Sequence, residues 1–376
     1  MAVTKRLCLL MILALMTCRK AYNPPAITAN VNYLVVEGII NTGSDSTIFN
    51  LSRTVNIKQK IVANPELNAV VSVESDNNAT YPLLAAGNGK YASPGLNLDN
   101  THKYRLRINT ADGKAYLSDF LTPKISPPID SIGYIVETNG VQVYLNTHDP
   151  ANATRYYLWE YNETWKFHAF FDSYFAINAD TVALRRPDQQ VYYCYASDTT
   201  STIVLNSSAK LAQDVIYQTP ITFVSSGAEK IEDRYSILVK QIALSPEAYS
   251  YYQLLKTNTE NLGTIFDAQP SQLPGNIHEV NNPAEPVIGY ISAGTVSQKR
   301  IFIDSRNLPA WLSVTYYDMI DCAADTMTMT SQSKFNYYYL HNPPYYIPTF
   351  LKLFGAYPIC VDCTFRGTKT PPPFWQ

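Results

Sequence analysis

The segment KYRLRINTADGKAYLSDFL, residues 103–121, sets the fold class of the chain. Tyr104, Leu106 and Ile108 alternate with Lys103, Arg105 and Arg107, the two-residue period of a strand with one buried face and one wet face. Asp112-Gly113 supplies the positive φ that a hairpin turn requires, and residues 114–121 read as the returning strand. The unit is an antiparallel β-hairpin. Residues 33–40, 46–54, 69–74 and 81–84 repeat the strand pattern on its N-terminal side, separated by clusters of Gly, Asn and Asp. Residues 31–124 therefore read as a β-sandwich of the immunoglobulin or transthyretin type. Pro123, Pro127 and Pro128 end it, because no regular element survives prolines so closely spaced.

Residues 129–376 read as a larger β-rich domain. It opens on a second hairpin, residues 132–136 and 141–145 around Asn139-Gly140. Residues 156–162 and 164–171 form an aromatic pair of strands divided by a turn at Asn162, and further strands fall at 191–195, 202–205, 215–223 and 235–244. One main helix is expected over 245–262, with Ser245 as N-cap, Pro246 at the first helical position and Gly263 as the stop. Ala248, Tyr252, Leu255 and Leu262 lie on or near the face it would turn to a sheet. A Pro- and Asn-rich loop, 267–286, leads to strands at 287–293 and 300–304. An irregular cysteine-containing tail follows, with a short helix expected at 348–355 and the ending PPPFWQ.

The composition agrees with this class. The chain has 376 residues, of which 46% are hydrophobic and only 16% charged, with 29 Tyr and 24 Pro, a balance that favours strands and loops over helices. A formal net charge of -2 gives no electrostatic footprint for nucleic acid, and DNA and RNA binding are excluded on that ground.

The first residues decide location. Lys5 and Arg6 precede an apolar run over 7–16, too short to cross a bilayer as a helix, so residues 1–17 read as a signal peptide. Leu15, Met16, Thr17 and Cys18 resemble a bacterial lipobox, with Cys18 as the lipidation site and residues 18–30 as a proline-stiffened tether. A diacylglyceryl group plus an N-acyl chain on Cys18 would anchor the protein stably, whereas one chain would be marginal. Cys194, Cys322, Cys360 and Cys363 then remain, an even number that points to disulfides outside the cytoplasm. Three pairings are open. A bridge within Cys360-Val361-Asp362-Cys363 would constrain little, so the reading leans to Cys322 joined to Cys360 or Cys363.

Several segments together resemble one family, the domain of unknown function 4249 found in Bacteroidota lipoproteins. They are Leu34-Val35-Val36-Glu37-Gly38, Pro127-Pro128-Ile129-Asp130-Ser131-Ile132, Tyr157-Leu158-Trp159-Glu160-Tyr161 with Glu163-Thr164-Trp165, Asn258-Thr259-Glu260, Phe266-Asp267-Ala268-Gln269-Pro270-Ser271, Gly275-Asn276-Ile277-His278, and the Cys-x-Asp-Cys tail with Phe374-Trp375. The resemblance implies an outer-membrane accessory working beside a TonB-dependent β-barrel receptor. It carries over no catalytic residue. Arg19 and Lys20 follow Cys18 where surface-exposed lipoproteins of that phylum usually bear acids, so the leaflet is left open.

No catalytic, cofactor or metal site is expected. The five histidines show no metal-ligand spacing, and neither a G-x-S-x-G elbow nor a phosphate-cradling glycine loop occurs. An enzyme would require distant acids such as Glu160, Glu163 and Asp267 to meet in one pocket. Contact with a ligand or partner is assigned instead to Trp165 and to Tyr337, Tyr338, Tyr339, Tyr345 and Tyr346, while Tyr157, Trp159 and Tyr161 read as core. The function expected is nutrient capture or gating beside the receptor. The alternative is a glycan- or peptide-binding adhesion module at the envelope. Short Asp-Thr signals at Asp180-Thr181 and Asp198-Thr199 also resemble sites of O-glycosylation in exported Bacteroidota proteins.

Overall fold

The structure, a computed structural model, describes residues 32–55, 64–178, 181–260, 275–311, 322, 325–327, 344–346 and 353–375. The expected signal peptide, Cys18, the tether and Tyr337, Tyr338 and Tyr339 lie outside the described residues.

The N-terminal strands are β1 (Leu34–Asn41), β2 (Thr47–Arg53), β3 (Val70–Ser75), β4 (Thr80–Gly87), β5 (Lys90–Ser93), β6 (Tyr104–Asn109) and β7 (Ala115–Ser118). The hairpin read from residues 103–121 forms with Asn109 opposite Ala115, and Gly113 at φ 86° turns the chain. A second hairpin, β4 to β5, turns on Asn88 and Gly89, both at positive φ as a two-residue turn between paired strands demands. β4 changes partner along its length: its first half pairs with β3, from Thr80 to Leu83, and its second with β5, from Leu84 to Gly87. That switch folds one continuous sheet into a half-barrel over a single core. Leu34, Val36, Phe49, Leu51 and Tyr91 meet Val71, Val73, Tyr104, Leu106 and Tyr116 there.

The second half of the chain stacks two sheets. Its strands are β8 (Ile129–Glu137), β9 (Gly140–His148), β10 (Tyr156–His168), β11 (Phe175–Asn178), β12 (Thr181–Leu184), β13 (Tyr193–Thr199), β14 (Val204–Ser207), β15 (Val215–Ser225) and β16 (Arg234–Ala243). The β8–β9 turn is Thr138-Asn139, since Glu137 pairs with Gly140, one residue earlier than the Asn-Gly signal implied. β10 runs unbroken for 13 residues, so the turn expected at Asn162 is absent. Continuous pairing with β16 from Tyr157 to Lys166 leaves Asn162 no freedom to turn. Val141, Val143, Leu145, Ile216 and Val224 from the three-stranded sheet β15–β9–β8 pack on Trp159, Tyr161, Tyr235, Ile237 and Val239 of the larger sheet. Tyr157, Trp159 and Tyr161 are core residues, with Trp159 donating its indole N–H to Gln241 Oε1 at 3.0 Å.

The main helix, α1 (Pro246–Glu260), is capped as expected: Ser245 Oγ accepts the Ala248 amide at 3.2 Å. Its most buried residues are Ala248 and Tyr251 rather than Tyr252. A helix on one sheet buries one stripe, but α1 lies between two bodies. Tyr249 meets Tyr156 of β10 at 5.0 Å, and Tyr251 meets Tyr290 at 5.3 Å.

Three strands follow: β17 (Ile277–Glu279), β18 (Ser292–Gly294) and β19 (Val296–Asp304). β17 adds to β7, and β18 lies parallel to β1, completing the nine-stranded order β17–β7–β6–β3–β4–β5–β2–β1–β18. β19 joins β16 in the five-stranded sheet. The segment read as belonging wholly to the second domain thus supplies both edges of the first. Gly294 is needed where they meet, because a Cβ there would stand 2.1 Å from Lys124 O. The linker is held too: Ser126 Oγ donates to Thr295 O at 2.6 Å, and Gln241 Nε2 to Pro127 O at 2.8 Å.

In the tail, β20 (Asp325–Met327), β21 (Pro344–Tyr346) and β22 (Leu353–Gly355) form a small antiparallel sheet. The short helix expected at 348–355 is corrected over its described part, where 353–355 pair as a strand with 325–327 and 344–346. Tyr345 and Tyr346 are in β21. Of the three disulfide pairings open to the sequence, the structure forms Cys194–Cys363 and Cys322–Cys360.

Candidate functional site

The outer face of the five-stranded sheet is where this fold leaves polar groups uncommitted. Alternation along β10 sends Glu163, Trp165 and Phe167 to the inner side and Leu158, Glu160, Asn162, Thr164 and Lys166 to the outer side. Register carries the outer rows across the sheet: Asn162 stands opposite Leu238, which stands opposite Arg300, and Thr164 stands opposite Ser236 and Ser197. Thr164 Oγ1 and Ser197 Oγ share a hydrogen bond at 3.1 Å, and Arg300 donates to Ser236 Oγ at 2.8 Å. At one end α1 covers Leu158 and Ile242.

The other end is closed by the chain's own C-terminus. Cys363 is bridged to Cys194 on edge strand β13, and Tyr195 and Thr368 exchange backbone hydrogen bonds at 2.8 and 3.0 Å. The strap passes this close because residue 367 is glycine: a Cβ would lie 2.4 Å from Tyr195 O. Arg366 bonds Glu229 and stacks over Phe167 at 4.4 Å. Beyond it Trp375 sets its ring edge-on to Tyr195 at 5.1 Å and to Phe302 at 5.6 Å, and Phe374 takes the Arg300 guanidinium at 3.5 Å.

Between α1 and the strap a trough of about 450 Å³ remains, lined by Asn162, Glu163, Thr164, Ser197, Asp198, Thr199, Leu238 and Arg300, with Phe374 at its wall. Arg300 is its distinctive group. Burial lowers its pKa, and no ion pair to it occurs among the described residues. Arg53, Arg105, Arg107 and Arg366 each face a glutamate.

A smaller cleft of about 220 Å³ opens on the inner side, where Glu163, Asp198 and Thr199 border both spaces. Its floor is a built network. Glu163, nearly inaccessible, accepts from Tyr235 Oη at 2.6 Å and from Lys230 Nζ at 2.5 Å, and Lys230 also reaches Asp198 at 3.6 Å. Burial first, and then the Glu163 charge, pushes the Tyr235 phenol far above its ordinary value, so it stays a donor. These groups satisfy one another and leave no base poised for proton transfer.

Trp165 is half-buried beside this network. Its indole N–H points to Glu229 Oε2 at 3.4 Å, and the Lys230 ammonium stands 5.1 Å from its ring centre. Glu160 and Glu163 lie on opposite faces of β10 and do not meet, and Asp267 lies outside the described residues. Among the described residues no group of three or more His, Cys, Asp or Glu is placed to hold a metal ion, and no helix is long and apolar enough to cross a membrane. Sequence reasoning missed Arg300 and treated Phe374 only as part of an ending. The available signal was the alternation Gln298, Arg300, Phe302 along a strand, which puts a cation and a ring on one face.

A family described as Domain of unknown function (DUF4249) matches residues 19–300, about three quarters of the chain, taking in the half-barrel and the stacked sheets of the second half except residues 301–304 of β19. No curated protein matches.

Proposed function

The chain belongs to the DUF4249 family, and we propose that this member is a non-catalytic, lipid-anchored accessory of the outer membrane, working beside a TonB-dependent β-barrel receptor in nutrient capture or gating. The observation that carries the capture role is the trough on the five-stranded sheet, open and walled by a covalently held strap. Ligand sites of that volume with a few convergent polar groups are the ordinary form of a binding site. The lipobox-like Leu15-Met16-Thr17-Cys18 supports the anchor, and tethering raises the effective concentration beside a receptor without any new contact. The half-barrel belongs to the same reading as an immunoglobulin- or transthyretin-like sandwich, two half-sheets joined through β4 over one core.

The test is purification from membranes. The protein is expected to label with fatty acid and to bring a β-barrel receptor with it, and Cys18→Ser is expected to abolish both. A detergent-solubilised protein that runs alone with and without nutrient overturns the accessory role. The adhesion alternative draws on Tyr217, Phe223 and Ile135, which are exposed on the three-stranded sheet. A glycan and peptide binding screen in a strain lacking the receptor separates the two.

A further inference from the structure

We infer that the trough between α1 and the C-terminal strap is a binding site for a carboxylate-bearing ligand, whose carboxylate Arg300 receives beside the Phe374 ring. The inference goes beyond the accessory role and stands whether or not a receptor is present.

A guanidinium carries five N–H donors in a planar fork and cannot shed its charge. Arg300 uses one of them, on the Ser236 hydroxyl, and stacks on Phe374. A half-buried cation normally has a carboxylate partner, because desolvation is otherwise uncompensated. Four other arginines follow that rule, Arg53 on Glu66, Arg105 and Arg107 on Glu74, and Arg366 on Glu229. Arg300 departs from it in the one place where the sheet floor opens into a space of about 450 Å³. Its free donors match a carboxylate in the two-bond geometry.

The surroundings fit the same ligand. Thr164, Ser197 and Thr199 offer hydroxyls and Asn162 an amide for the polar atoms that flank a carboxylate, while Leu238 and Phe374 give an apolar flank. Glu163 and Asp198, which also border the space, are both drawn to Lys230, at 2.5 and 3.6 Å, so their charge is partly compensated. The chemistry is common to a free organic acid and to the C-terminus of a peptide.

The experiment titrates the full chain calorimetrically with three probes: trialanine, trialanine amide and propionate. Trialanine is expected to bind, its amide at least tenfold more weakly, and Arg300→Gln is expected to lose at least tenfold towards trialanine while Arg300→Lys keeps part of the affinity. Propionate binding as well as trialanine marks a free acid as the ligand, and binding of trialanine alone marks a peptide terminus; either upholds the site. In the unmutated protein, trialanine but not its amide is expected to protect Arg300 from phenylglyoxal, read by mass spectrometry, so the inference stays testable if Arg300→Gln fails to fold. Equal binding of trialanine and its amide, undiminished binding by a folded Arg300→Gln, no carboxylate binding, or no protection of Arg300 overturns it.

Discussion

The two sheets treat charge in opposite ways. On the half-barrel Glu74 holds both Arg105 and Arg107, while Glu285 accepts from Lys114 at 2.7 Å and from Tyr116 Oη at 2.8 Å. Every one of those cations is answered by an acid, and the sheet is closed at both edges by strands that arrive late in the chain. The five-stranded sheet buries its inner face under a partner sheet but leaves its outer face as a trough, with Arg300 unanswered and the tail strapped across one end. A surface whose polar groups satisfy one another is scaffold; one that holds a cation in reserve is equipped to bind.

The largest expected effect breaks the second body from the first. Trp159 is fully buried and bonded to Gln241, which also holds the linker through Pro127. Trp159→Ala is expected to cost about 4 kcal/mol, as large-to-small changes in cores do, and to detach unfolding of the second body from that of the half-barrel in denaturant titrations. A single unshifted transition would show that the two are not separable. Next comes the strap. The double change Cys194→Ser and Cys363→Ser is expected to cost about 3 kcal/mol, the middle of the usual range for a native disulfide. It should also expose Arg366 and Lys369 to trypsin well before the rest of the chain is cut, a pattern that intact protein must not show.

Smaller effects sharpen the contrast through pH. Although burial alone would raise it, the two arginines hold the Glu74 pKa below its ordinary value. A depressed carboxylate contributes stability that is present above about 4.5 and lost as pH falls through its folded value. Glu74→Gln is expected to cost about 1 kcal/mol at neutral pH and to flatten the acid limb of the stability curve. His168 behaves in reverse. Burial disfavours its charged form, but Glu232 at 3.0 Å and the Ala169 carbonyl at 2.7 Å outweigh this and raise its pKa. Its contribution is full below 6.5 and lost as pH rises through the raised value, so His168→Gln should level the fall of the melting temperature above pH 6.5. If the cost of Glu74→Gln persists undiminished in acid, or that of His168→Gln persists undiminished at alkaline pH, the assignment of opposite signs to the two sheets is wrong.

Much of the half-barrel was legible because its pairings are local. The alternation at 104–108 and Asp112-Gly113 specify strand, face and turn within one short window, whereas the hairpin on Asn88-Gly89 and its strand β5 went unread. The outer-face site was not legible. Its floor comes from β10, β13, β16 and β19, and its wall from the last residues of the chain. No local period announces that Arg300 will face Phe374, nor that Asn162 will sit inside a long strand; both follow from sheet register, which long-range burial sets. The helix shows the mixed case: Ser245 and Pro246 mark its start from sequence alone, whereas the burial of Tyr251 depends on Tyr290, far along the chain.

The parallel seating of Ser292–Gly294 beside Ile39, Ile40 and Asn41 also governs the order of assembly. A chain delivered N-terminus first presents β1 long before its outer neighbour arrives, so the Val36 and Thr42 amides, bonded in the finished protein to Ile288 and Gly294, must wait for those partners. A nascent chain halted before Ile277 has neither closing strand. Such a fragment is a sheet open at both sides, the form most ready to pair with its own copies, and a holding chaperone would find its natural grip there.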